Sequence, residues 1–218
     1  MRKENRKYYF TVEGETEQRY FKWLESTINK EQSSRYTVKL DCQVQKDPLK
    51  RVKSLISLGT TEITHIFDYE GNDKAYSTQF QTTLDRMKEA GSSKVGKNVV
   101  YLLGYSNFTF ELWIVLHKVD CNGAIADRSQ YLALINRAYA ENFDSLKQYK
   151  KKIEFERILN NLTLDDVREA IKRAKNIMQK NKENGLALQQ YKGYKYYREN
   201  PSLSIWQTIE KILKDCEL

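Results

Sequence analysis

The sequence predicts an α/β fold: a small, mostly parallel sheet of about four strands with helices on both faces, followed by a helical C-terminal part. Three observations predict it. Over roughly the first 120 residues, apolar runs of strand length alternate with segments of helical periodicity, in the order β-α-β-α-β-α-β-α. The last run, NVVYLL at 98–103, is almost continuously apolar, as a strand covered on both faces requires. Beyond about residue 120 the strand signals stop and every periodic segment is helical. The expected organisation is an α/β core over 1–120 and a helical extension over 121–218, packed on that core or fused with it into one domain.

Each element has a local reason. Residues 7–12 read as a strand through Tyr8, Tyr9, Phe10 and Val12, and 15–30 as a helix with Tyr20, Phe21, Leu24 and Ile28 on one face. Residues 36–44 alternate strictly, a strand with one wetter face, and Cys42 falls in step with Val38, Leu40 and Val44 as a small core residue. Asp47-Pro48 supplies an N-cap and an N1 proline, and Leu49, Val52, Leu55 and Ile56 follow at helical spacing up to Gly59. Residues 62–67 read as a strand. Residues 75–90 read as a helix through Tyr76, Phe80, Leu84 and Met87, closed by Gly91, and 91–97 as a turn. After the strand at 98–103, residues 108–118 look helical, as do 129–142, 145–160, 163–181 and 201–215. Thr163 with Asp166 forms a near capping box, and Asn200-Pro201 reads as another N-cap with an N1 proline.

The chain has 218 residues, enough for one sizeable core or a core with a helical appendage. Lys and Arg outnumber Asp and Glu by 37 to 29, so a polyanion is a natural partner, although the mark of a nucleic-acid binder is clustering rather than surplus. Cys42, Cys121 and Cys216 are far apart with no CxxC, which fits a reducing, cytoplasmic setting. The N-terminus lacks a signal-peptide core, and no apolar run reaches membrane-spanning length, so no membrane partner is expected. Two histidines exclude a His-rich zinc site, and neither GxSxG nor GxxxxGK[ST] occurs.

The chemistry-bearing pattern lies at the strand ends. Glu13 follows the first strand directly, Asp68 and Glu70 follow the third, and Asp73 is close by. Glu15 and Glu17 read as first-turn acids that favour the helix dipole, an explanation Glu13 lacks. In a parallel sheet these strand ends share an edge, and if the two strands are neighbours the acids meet at the crevice where ligands bind. Converging carboxylates repel one another unless a cation sits among them. Hard oxygen ligands with open water positions suit Mg²⁺ or Mn²⁺, which can polarise a phosphoryl oxygen or activate water. The bland alternative is that each acid is a cap or loop residue on a solvated edge.

Several segments also resemble a known family. VEGETEQRYF (12–21), FDYEGND (67–73) and YSNFTFELWIVLHK (105–118) resemble three signature segments of RloB-like proteins. AIKRAKNIM (170–178) and ENPSLSIWQTIEKIL (199–213) are similar to that family's alanine-rich helix and closing Asn-Pro-Ser helix. The resemblance implies a Toprim-type, Rossmann-like fold, Mg²⁺-dependent phosphodiester chemistry, and a role in prokaryotic anti-phage defence beside an AAA-type ATPase. It maps the family's acidic Glu onto Glu13 and its DxD onto Asp68 and Glu70. The sequence departs from the pattern twice. Glu70 stands where an Asp is usual, which makes Asp73 a candidate substitute ligand, and Asn107 is followed by Phe108 rather than proline.

Other residues have paired readings. Glu111 is a fourth acid of the site, or a helix-start acid answering the dipole. His117 is a proton shuttle or a hydrogen-bonded packing residue, His65 faces the core or a covering helix, and Trp113 reads as core. Ser106 and Asn107, at the end of the fourth strand, bind phosphate oxygens or form a plain turn. Lys74, Lys94 and Lys97 lie in loops near the active edge. Lys192, Tyr194, Lys195 and Arg198, in KGYKYYR, interleave charge and rings as a nucleic-acid contact would, and KQYKKK (147–152) is a second basic run. Such runs are more usually solvated helix faces.

The leading expectation is a Mg²⁺- or Mn²⁺-dependent nuclease acting on RNA or DNA in phage defence. Glu13 is then a metal ligand or general acid/base, and Asp68 and Glu70 are metal ligands. The alternatives are a binding module that keeps the fold without the chemistry, and phosphoryl transfer on a small nucleotide.

Overall fold

A computed structural model describes residues 3–55, 59–92, 98–121, 123 and 125–218. Four strands form one all-parallel sheet: β1 (Asn5–Val12), β2 (Thr37–Val44), β3 (Thr61–Tyr69) and β4 (Val99–Asn107). Their order is β2-β1-β3-β4, so β1 and β3 are neighbours. The helices between them are α1 (Glu15–Lys30), α2 (Pro48–Ser54) and α3 (Lys74–Ala90), and α4 (Glu111–Leu116) follows β4. The α/β class with a parallel four-strand sheet is thus observed.

Strand alternation sends residues to two faces. Phe10 stacks on Phe21 of α1 at 4.2 Å, and Asn29 pins α1 to β2 through both Val38 N–H and C=O. On the other face Phe67 stacks on Phe80 of α3 at 4.7 Å, and the Tyr101 hydroxyl donates to the carbonyl of Pro48 in α2. Asp47 caps α2 as its sequence predicts, its carboxylate accepting from Leu49 N–H.

The C-terminal half continues with α5 (Tyr131–Tyr139), α6 (Leu146–Tyr149), α7 (Lys152–Asn160), α8 (Leu164–Glu183) and α9 (Ile205–Asp215). These helices share one buried cluster with α1 and the first sheet face, from Phe10 and Phe21 through Trp113, Ile135 and Phe155 to Ile209. Thr208 of α9 bonds to Thr64 of β3 at 3.0 Å. Thr163 and Asp166 form the capping box of α8.

Three expectations are corrected. The C-terminal half contains a hairpin, β5 (Gln189–Tyr191) and β6 (Tyr194–Tyr196), with Lys192 and Gly193 both at positive φ in its turn. Its strands of three residues are too short for a period to show. Asn200-Pro201 does not begin a helix. That bond is cis, and the chain beyond it lies along the end of β4, with Asn107 N–H donating to Ser202 C=O and Ser204 N–H to Tyr105 C=O. The closing helix starts only at Ile205. The segment at 145–160 is two helices, α6 and α7, separated at Lys150–Lys151. Ile56 and residues 93–97, with Lys94 and Lys97, lie outside the described residues. All three cysteines are free and buried. Among the described residues no helix is long and apolar enough to cross a membrane.

Candidate functional site

Because β1 and β3 are adjacent and parallel, their C-terminal ends open on one edge, and the acids meet there. Asp68 is still in β3, paired in register with Ser106 of β4. Glu13, the first residue past β1, reaches across: its Oε2 accepts the Asp68 backbone N–H at 3.3 Å. Glu13, Asp68 and Glu70 line one narrow crevice against Tyr76, Gln79 and Thr83 of α3.

Two further acids, Glu17 and Glu111, are near enough for their charges to raise Asp68. Glu17, one turn into α1, is buried, and its Oε2 has no hydrogen-bond partner among the described residues. Gly14 makes room for it, since a Cβ there would stand 3.0 Å from that oxygen. Glu111 begins α4 with no exposed surface. Its Oε2 accepts from the Thr109 hydroxyl, and Lys150 Nζ lies 2.9 Å from Oε1. The turn that delivers it runs through Phe108, at φ 63°, whose N–H donates to Tyr69 C=O.

Three of these carboxyls, Asp68, Glu17 and Glu13, are raised by burial and by the charges of neighbouring acids. Burial raises Asp68 well above the usual carboxylate range, and the charges of Glu17, Glu13 and Glu111 raise it further, against Arg128. Glu17 is raised by burial, then by Glu111 and Glu13, while Lys150 pulls it down. Glu13 is raised by burial and by Glu70, and lowered by the Asp68 N–H, Lys46 and Arg128. Arg128 Nη1 stands 3.6 Å from Glu70 Oε1. Two cations of the C-terminal half, Arg128 and Lys150, therefore offset acids carried by the sheet.

The remaining sequence candidates fall elsewhere. Asp73 is exposed and caps α3, its Oδ1 accepting Tyr76 N–H at 2.9 Å, with Lys74 exposed beside it. Ser106 and Asn107 are buried. The Asn107 side-chain amide donates to the carbonyls of Tyr197, Arg198 and Glu199, so it fastens that segment to β4. Lys192 and Lys195 are exposed on the hairpin, while Tyr194 and Arg198 are half-buried. His117 is a packing residue: Nδ1–H donates to Trp113 C=O, Nε2 accepts the Tyr20 hydroxyl, and burial lowers its pKa to about 4. His65 is buried against Thr11, and burial lowers its pKa to about 3. Trp113 is core.

Sequence reasoning missed Glu17, Lys150 and Arg128. Glu17 had a local explanation at the helix start. The spacing of four from Glu13 was the available signal, since it places a second carboxylate one turn in from the same edge. Nothing local marks Lys150 within its basic run, or Arg128.

The donor set suits a hard cation: every candidate ligand is a carboxylate oxygen, one of them buried without a partner, in a group that repels itself. Among the described residues no three His, Cys, Asp or Glu side chains are placed to hold one ion together. Mg²⁺ asks for less, taking one or two carboxylates, water and substrate phosphate.

A family model described as RloB-like protein matches residues 8–212. No curated protein and no solved structure matches the chain.

Proposed function

The chain belongs to the RloB-like protein family, and from that premise we propose that it is a metal-dependent, Toprim-type nuclease cleaving phosphodiesters of RNA or DNA in anti-phage defence, with an AAA-type ATPase as partner. The observation that carries the reading is the cluster of Glu13, Glu17, Asp68, Glu70 and Glu111, drawn from the ends of β1 and β3 and the starts of α1 and α4. A fold gains no stability from such a cluster, whereas a cation site at a topological switch point requires one. The defence role and the ATPase come from the family resemblance alone.

Asp68 and Glu70 would hold Mg²⁺ or Mn²⁺, which when bound polarises the phosphoryl oxygens. Glu13, fixed by the Asp68 N–H and raised in proton affinity, is suited to exchange a proton at Oε1 with the attacking water or the leaving oxygen. Glu111 is steadied by Lys150 and Thr109. Lys74 and Arg128 border the edge where a phosphate backbone would lie.

The contact between Arg128 and Glu70 favours a second reading, in which an arginine takes the cation's place and the protein binds nucleic acid without cutting it. One assay separates the two. Labelled DNA and RNA are incubated with Mg²⁺, Mn²⁺ or EDTA, with the protein alone and with a neighbouring ATPase. The nuclease reading expects cleavage abolished by EDTA and reduced at least about 10²-fold by Glu13→Gln. Absence of cleavage in every condition, with binding intact in EDTA, establishes the binding module instead.

A further inference from the structure

A basic trough lies away from the acid edge, beside the hairpin. One crevice, of about 580 Å³, runs between the middle of β4, the hairpin, α8 and α9. Lys182, Lys195 and Lys211 line it with no carboxylate among them, and Tyr194, Tyr197 and Leu188 supply apolar surface. Lys182 and Lys195 are exposed and have no ion-pair partner among the described residues, whereas Lys211 pairs with Glu62. A second crevice, of about 710 Å³, shares Leu102, Thr208 and Lys211 with the first and continues to Arg6, Lys7 and Tyr9 below β1. Together the two linings hold five cations against Glu62 and Asp215.

We propose that this trough is a binding track for single-stranded nucleic acid, with Lys182 and Lys195 on phosphates and Tyr194 under a base. Arg6, Lys7 and Lys211 are paired with Asp215, Asp41 and Glu62, so the free charge lies at Lys182 and Lys195; two unpaired lysines beside rings and aliphatic surface match a chain of phosphates with flat apolar faces. The geometry also relates the track to the cleavage edge. Leu102 lies four residues before Ser106 on β4, about 13 Å along the strand. A strand held in the trough is therefore within a few nucleotides of Asp68. The track deepens the nuclease reading by naming single strands as substrate, but binding stands whether or not the chain cuts.

The test is fluorescence anisotropy with the full chain and a labelled 20-nucleotide single strand, of DNA and of RNA, in EDTA so that cleavage cannot intervene. The same strand annealed to its complement serves as duplex. Lys182→Ala with Lys195→Ala is expected to weaken single-strand binding at least about tenfold and to lower the salt slope by about 1.4, two phosphates' worth. Tyr194→Ala should weaken it from about 5- to 150-fold, while Tyr194→Phe, which keeps the ring, should restore it. Equal affinity of wild type and the lysine double variant, tighter binding of duplex than of single strand, or equal competition by poly-glutamate would overturn the inference. A chain that binds as described and never cuts keeps the track and sinks the nuclease; one that cuts with Mg²⁺ and ignores these substitutions does the reverse.

Discussion

Glu17 has the most informative side chain of the cluster, because its carboxylate costs stability where it stands. Its pKa is raised in the folded protein, so the fold holds its proton more tightly than the unfolded chain does. The cost is full at neutral pH and disappears as pH falls through the raised value. Glu17→Gln should therefore raise the melting temperature at pH 7.5 by roughly 2–4 °C, the equivalent of about 1 kcal/mol, with the gain shrinking toward pH 4.5 in a thermal scan. Loss of cleavage in the same variant would place Glu17 in the site as well. Lys150 has the opposite sign. Removing it leaves Glu111 buried beside Glu17 with only Thr109 for company, so Lys150→Met should cost about 3–5 kcal/mol in denaturant unfolding. Adding Glu111→Gln should recover most of that loss. Glu13 and Asp68 were legible because an acid directly after an apolar strand has no local purpose. Glu17, Lys150 and Arg128 were not, since a first-turn acid and two cations of the C-terminal half each have an ordinary local reading and only tertiary packing gives them another.

At the scale of elements, β4 shows how tightly the sheet is fitted around the site. Gly104 faces Ile66, and a Cβ there would overlap Ile66 Cδ1 and sit 3.3 Å from His65 C=O. Gly104→Ala should destabilise by about 1–3 kcal/mol, as overpacking does, measured by the urea midpoint at constant m. Strands β1, β3 and β4 were readable from their apolar runs, and β2 from its strict alternation. The hairpin was not, because β5 and β6 have three residues each and their side chains split between solvent and the packing of Tyr196 against Tyr69 and Phe80. Asn200-Pro201 misled for a related reason. The pair has the composition of a helix start, yet Asn107 and β4 claim the segment after it for hydrogen bonds that no local rule foresees.

For the whole molecule, the two halves share one buried cluster, and two of the cations at the acid edge, Arg128 and Lys150, come from the second half. Two buried neutral histidines tie stability to pH. Their pKa values, about 3 for His65 and about 4 for His117, lie below the unfolded value near 6.5, so their contribution is complete above that value. It is lost as pH falls through the folded values, at up to about 1.4 kcal/mol per pH unit for each ring. The acid cluster works in the opposite direction over the same range. A His117→Gln variant should therefore show a shallower fall of stability from pH 6 to 4.5 than wild type, by close to one proton's slope in denaturant titrations. An unchanged slope would mean that His117 is already charged in the fold.

The claim that the clustered carboxylates form a metal-dependent cleavage centre is tested most directly by one rate. Single-turnover cleavage of a labelled single strand is followed while Mn²⁺ is titrated, for wild type and for an Asp68→Asn variant confirmed as folded by its melting temperature. A metal-dependent cleavage centre predicts a rate that rises with Mn²⁺ and saturates in wild type, and falls at least about 10²-fold in the variant. Equal rates in the two proteins at every Mn²⁺ concentration would contradict it.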